Sequence, residues 1–213
     1  MRFAIIPDVR MFTATADALK RGITHLVIHH SATKAGDAEA FYRFHTDPEP
    51  QGRGWADIGY HAVVPNGVSK PNGIIQLGRD LDNDNDVFEH QGAGVLGMNR
   101  HTLHICGTGN FDETEPDPQD LQIRTIAILS CQIMRIFNIP VHRVIGHREA
   151  GAIEGVPKVH KTCPGSKIDC NQMRDFFNFV DRQCFDDWAN DYQAYINQLR
   201  ENMPGLKILD SGG

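Results

Sequence analysis

Three short apolar runs, ITHLVI at residues 23–28, HTLHICG at 101–107 and HRVIG at 142–146, are separated by stretches with helical spacing. This alternation constrains the fold more than any other feature. Each run is too short for a stable helix, is rich in β-branched residues and is bounded by polar or Gly-containing segments, so each reads as a buried strand. Between them, residues 37–45 (DAEAFYRFH) read as a short helix, capped by Asp37 and closed before Pro48. The longest helical pattern places Leu121, Ile126, Leu129, Ile133 and Phe137 on one stripe. Asp117 is its expected cap, Pro118 its first position, and Asn138 with Pro140 its end. A last helical stripe runs through Met173, Phe177, Val180, Cys184, Trp188, Tyr192 and Leu199 and stops at Pro204-Gly205.

The segment IGYHAVVPNGVSKPNGIIQLGR holds two further strand-like runs around Asn66-Gly67 and Asn72-Gly73, pairs that favour hairpin turns. An antiparallel hairpin beside strands that alternate with long helices predicts an α/β fold. Its central sheet is mixed and flanked by helices, with an additional C-terminal helical tail. The expected division is a domain over residues 1–183 and a tail over 184–213. Residues 81–98, rich in Gly, Asp and Asn, read as a long surface loop.

The 213 residues carry a formal net charge of -6, which argues against nucleic acid or an anionic membrane as the partner. No stretch has the ~18 consecutive apolar residues of a membrane helix. Pro7, Asp8 and Arg10 interrupt the N-terminal apolar residues before a signal-peptide core forms, so synthesis in the cytoplasm is expected. Five cysteines, an odd number, do not suggest a disulfide framework.

Two of the strands end in histidine, at His29-His30 and at His147, and Cys163 follows sixteen residues after His147. Ligands of α/β folds sit beyond strand ends. Two imidazoles and a thiolate are a good zinc set, leaving a fourth position for water. From the chemistry alone, polar strand ends and a free surface thiol are the favoured reading over a metal site, because no HExxH or CxxC motif fixes these residues locally.

The motifs IHHSAT, DIGYH, GRD, EHQGAG with Asn99 after it, GHREA and KTCPG occur in that order. Together they resemble the zinc N-acetylmuramoyl-L-alanine amidases of the peptidoglycan-recognition and phage-lysozyme type, over roughly residues 23–183. The resemblance implies a mixed sheet flanked by helices, Zn2+ as cofactor, and His29, His147 and Cys163 as its ligands. His30 would be a spacer pointing to the opposite face, since side chains alternate along a strand. Tyr60 resembles the family's tyrosine beside the activated water, and Lys161 the lysine facing the substrate carbonyl. Arg79, His90 and Asn99 lie where relatives hold the sugar and stem peptide.

The chain departs from the family in three places. The interval from His147 to Cys163 is longer than in compact relatives, and the insert GAIEGVPKVH is expected to form a rim or lid. His104 stands where small residues are usual in the central strand. The tail stripe exceeds the minimal domain and must either fold back or pair with another copy, so self-association through this helix is one expectation. The implied activity is cleavage of the amide between N-acetylmuramic acid and L-alanine, in peptidoglycan or muropeptides, by a phage endolysin acting on the wall after release. A cytoplasmic muropeptide-recycling amidase and a non-catalytic peptidoglycan-binding module are the alternatives.

Overall fold

A computed structural model describes residues 2–158 and 160–210. Met1, Val159 and residues 211–213 lie outside the described residues, including the first position of the expected domain, one residue of the insert and the last three of the tail.

Five strands, β1 (His25–His30), β2 (Ala62–Val64), β3 (Gln76–Leu77), β4 (Thr102–Gly107) and β5 (Val144–Gly146), form one sheet in the order β3-β2-β4-β1-β5. β1 runs parallel to both β4 and β5, β2 runs parallel to β4, and β3 is antiparallel to β2. The sheet is therefore mixed, and the expected hairpin is present. Its two strands are joined by residues 65–75 rather than by a tight two-residue turn. Only the glycines of the two Asn-Gly pairs take positive φ, Gly67 at 89° and Gly73 at 68°. A two-residue type I′ turn needs positive φ at both central positions.

The strands sort their side chains by face. Leu26, Ile28, Leu103, Ile105 and Val144 point into the main core, which is closed by helix α3 (Leu121–Phe137) and by the C-terminal helices α4 (Cys170–Phe179) and α5 (Phe185–Asn202). Burying each such aliphatic side chain contributes about 1.5–3 kcal/mol. The alternate positions, Val27, His29, His104 and Cys106, look the other way, and this second face carries the polar side chains discussed below.

Helix α1 (Ala16–Lys20) is short, and α2 (Ala38–Thr46) is capped by Asp37, whose carboxylate accepts from the Ala40 amide. Helix α3 starts one turn later than the sequence suggests. Asp120, not Asp117, accepts from the Gln122 amide as N-cap, while the Asp117 side chain accepts from Gln119 in the preceding turn. Asp117 and Pro118 thus shape a turn leading into the helix. The Gln122 side chain donates its Nε2 to the carbonyls of Val64 and Thr108, fastening α3 to the ends of β2 and β4. At its other end, Asn138 adopts the left-handed conformation at φ 50° and donates its amide to Met134.

The tail folds back on the domain. A π-helical turn, Val180–Cys184, joins α4 to α5 and adds one residue to the helical period. The buried stripe therefore passes from Met173, Phe177 and Val180 to Phe185, Ala189, Tyr192 and Ile196. Cys184, Trp188 and Leu199, expected on the stripe, are displaced to its half-buried flank. Tyr192 is 1% exposed; its hydroxyl donates to the Ile6 carbonyl at 2.7 Å and accepts from the Ile75 amide at 3.0 Å. Residue 184 thus falls within a run of helix whose two sides share one core.

The segment 81–98 has no helix or strand among the described residues, yet it is more than a surface loop. Val87 and Phe88 enter the main core, and Val95 and Met98 pack with Val27, Ile145 and Ala150. A 3-10 helix (His147–Ala152) leads into the insert, whose Ile153 and Val156 then cover that smaller cluster. No helix is long and apolar enough to cross a membrane among the described residues.

Candidate metal centre

The register of β1 and β5 places Ile28 opposite Gly146, so the residues that follow, His29 and His147, lie abreast at the sheet's C-terminal edge. Their ring centroids are 4.8 Å apart. Cys163 enters from the loop after the insert, with Sγ 3.6 Å from His29 Nδ1. One ligand atom from each of the three residues lies within 4.8 Å of the others, and all three are buried.

That loop is gripped from two sides. Arg148, immediately after His147, donates Nη1 to the carbonyls of Thr162 at 2.9 Å and Gly165 at 2.6 Å and Nη2 to that of Ile168, while its own amide bonds the Cys163 carbonyl at 2.8 Å. Opposite it, the Asp112 carboxylate accepts from the Ser166 amide at 2.6 Å and the Thr162 hydroxyl at 2.8 Å. One backbone step thus ties the second histidine to the cysteine. The Glu149 carboxylate accepts from the Gly146 amide at 2.8 Å and pairs with both Arg174 Nη atoms, anchoring the end of β5 to α4.

The donor set fits zinc. Zn–S and Zn–N bonds of about 2.3 and 2.05 Å, meeting at a tetrahedral angle, set sulfur and nitrogen roughly 3.6 Å apart. The His29–Cys163 pair stands at this spacing. Three protein donors would leave a bound zinc one further coordination position, the pattern of catalytic rather than structural zinc.

Electrostatics prepare two of the three candidate donors for a metal. Burial drives the His29 imidazole well below its usual pKa, and the neighbouring His104, His147 and Lys161 push in the same direction. His147 is lowered to about 4, by burial first and by Lys161 second. Both rings are neutral at pH 7, as a metal requires. Burial raises the Cys163 thiol to about 12, so this ligand has a proton to lose.

Tyr60 lies beside the cluster, its ring 5.3 Å from that of His29. Burial holds its phenol well above the usual value, with Cys106 and Cys163 adding to the shift, so it keeps its proton at neutral pH. Lys161 is exposed at the rim, and its charge is felt by His29, His147 and Cys163. His30 projects to the opposite face as expected for a spacer, where its Nδ1 accepts from the Phe111 amide at 3.1 Å.

The three expected substrate contacts each have partners within the protein. Arg79 turns inward, its Nη1 donating to the carbonyls of Asp57 at 3.3 Å and Ile58 at 3.1 Å, so its fork is partly committed to backbone. His90 Nε2 faces the acidic loop, 3.2 Å from Asp82 and 3.5 Å from Glu89. The Asn99 side-chain oxygen accepts from the Val95 amide at 2.8 Å. All three hold loops in shape. Arg79 and Asn99 satisfy backbone polar groups of irregular segments, whereas His90 lies against carboxylates of its own loop.

Two functional neighbours escaped the sequence reading. Arg148 stands inside the GHREA motif, and only that position hinted at its clamp. His104 was visible as an oddity in a central strand, but its contact with His29 depends on sheet register, which the sequence does not display.

The protein family described as N-acetylmuramoyl-L-alanine amidase matches residues 19–166. Among solved structures, the endolysin amidase LysCS from Clostridium intestinale has a similar fold, with 22% identity and a TM-score of 0.56 over 74% of this chain and 84% of that one. The bumblebee peptidoglycan recognition protein PGRP-SA is similar as well, with 23% identity and a TM-score of 0.51 over 72% of this chain and 81% of that one. No curated protein sequence matches the chain. The matched residues include His29, Tyr60, His147, Lys161 and Cys163, and they make up well over half of the sequence. The chain belongs to the N-acetylmuramoyl-L-alanine amidase family.

Proposed function

We propose that the protein is a zinc-dependent amidase that hydrolyses the bond between the lactyl group of N-acetylmuramic acid and L-alanine in peptidoglycan. The observation that carries this reading is the convergence of His29, His147 and Cys163 at spacings suited to tetrahedral zinc. Zinc bound there supplies a Lewis acid that brings the pKa of water down to about 7 and polarises a carbonyl.

The chain's own residues account for the rest. Lys161, at the rim of the cluster, faces the oxygen that turns negative during attack; losing one such donor costs about 3 kcal/mol of barrier. Tyr60, protonated and next to His29, orients the attacking water by hydrogen bonding. Arg79, His90 and Asn99, each held by bonds within the protein, are the residues offered to the sugar and stem peptide. An endolysin role is the preferred setting, since LysCS, with the same fold, is described as an endolysin.

A second reading, binding of peptidoglycan without cleavage, draws on the likeness to PGRP-SA. The buried Cys163 beside two histidines favours hydrolysis over it. Digestion of purified muropeptides followed by mass spectrometry separates the two. Free lactyl carboxylates and peptides beginning with L-alanine are expected. Retention of intact muropeptide would support the binding module, and cuts within the stem peptide would point to another amide.

A further inference from the structure

His104 lies on β4 opposite Val27 and on the same face as His29. Its Nδ1 is 3.1 Å from His29 Nε2, and its Nε2 is 2.9 Å from the Thr102 hydroxyl. That hydroxyl is in turn 3.1 Å from the Met98 carbonyl. All three side chains are buried at 2% exposure or less, so each bond must be made within the protein.

The proton positions in this chain follow from its far end. The Met98 carbonyl can only accept, so the single Thr102 hydroxyl proton points to it. Thr102 then accepts from His104, which fixes the His104 proton on Nε2 and leaves a lone pair on Nδ1. That lone pair accepts from His29 Nε2–H. His29 is left with a lone pair on Nδ1, the nitrogen that faces Cys163 at 3.6 Å.

A second set of contacts holds the His104 ring in place. His61 Nδ1 accepts from the His104 backbone amide at 2.9 Å, and the His61 ring lies nearly parallel to that of His104 at 5.5 Å. His61 in turn presents Nε2–H to the His90 carbonyl at 2.9 Å. A Cβ on Gly92 would approach His104 Cδ2 to 2.4 Å, and one on Gly94 would approach Nδ1 to 2.5 Å. Neither glycine has positive φ. The two glycines of the EHQGAG motif thus leave room for this imidazole.

We propose that His104 is a positioning residue that, with Thr102 and the Met98 carbonyl, fixes His29 in the tautomer that presents Nδ1 to the metal. The inference rests on the zinc reading of His29. Metal-bound histidines generally give their second N–H to a fixed acceptor, and losing that acceptor costs about 10–100-fold in metal affinity. Here an uncharged imidazole takes the place that a carboxylate or carbonyl usually fills.

The test combines chelator competition for zinc with nitrogen-15 NMR of the histidine rings. In the zinc-free wild type, His29 should carry its proton on Nε2; a proton on Nδ1 would overturn the proposal whether or not zinc binds. His104→Leu, which keeps bulk and removes the acceptor, should weaken zinc binding about 10–100-fold. His104→Asn, whose side-chain oxygen can stand at the Nδ1 position, should recover most of that loss. Equal zinc affinity in wild type and His104→Leu would refute His104 while leaving the ligand set intact. Absence of zinc binding in the wild type itself would instead remove the ligand set, and the NMR measurement alone would then decide the tautomer.

Discussion

His29 Nδ1 and Cys163 Sγ face each other at 3.6 Å across 134 residues of sequence. A rigid strand end supplies the nitrogen, and a loop clamped by Arg148 and Asp112 supplies the sulfur. Pre-positioned donors reduce the ordering cost of capturing an ion.

Zinc uptake should release about one proton per ion at pH 6, where a metal-bound water of pKa about 7 still keeps its proton. The two imidazoles are already neutral, with His147 near 4 and His29 also depressed, whereas burial keeps Cys163 protonated up to about 12. Titration calorimetry in two buffers of different ionisation enthalpy measures this number. A value near zero would show that the thiol is not the third ligand.

Lys161→Ala should retain bound zinc and lower kcat roughly 100-fold, the usual effect of removing one oxyanion donor. Elemental analysis and muropeptide turnover on the same preparation check both halves. Undiminished turnover would remove Lys161 from the reaction.

Tyr192→Phe should destabilise the fold by about 1–3 kcal/mol, because the Ile6 carbonyl and the Ile75 amide both lose a buried partner. Chemical denaturation reads the difference. A change of a few tenths would mean that the tail contributes little to the core.

Glu149 supplies a pH-dependent contribution. Burial alone would raise its pKa, but the Arg174 fork and the Gly146 amide outweigh that and hold it below the usual carboxylate value. A depressed folded pKa stabilises the protein above the unfolded value, and the gain is lost as pH falls through the folded one. Glu149→Gln should therefore cost roughly 1–3 kcal/mol at pH 7. The gap to wild type should narrow below about pH 4. Denaturation midpoints measured from pH 3 to 7 would show this convergence; a constant gap would contradict it.

The architecture was legible in the sequence where periodicity and end signals coincide. Apolar runs ending in His29 and before His147, the cap at Asp37 and the stripe of α3 all appear at or near their expected positions. Reading failed where a single residue shifts the phase. The π-helical turn moved the buried stripe from Cys184 and Trp188 to Phe185 and Ala189, and no local signal marks such an insertion. At the site, the sequence offered residue types but not their partners. Arg79, His90 and Asn99 look free in a loop-rich segment, yet Arg79 and Asn99 bond irregular backbone that needs partners, and His90 faces the Asp82 and Glu89 carboxylates. His104 illustrates the converse, since its link to His29 exists only through the register of β4 on β1.

X-ray absorption at the zinc edge, on protein loaded with one equivalent of the metal, tests the ligand set most directly. One sulfur near 2.3 Å and nitrogen scatterers near 2.0–2.1 Å with the multiple-scattering signature of two imidazoles are expected. A shell of nitrogen and oxygen alone, with no sulfur, would contradict the site built from His29, His147 and Cys163.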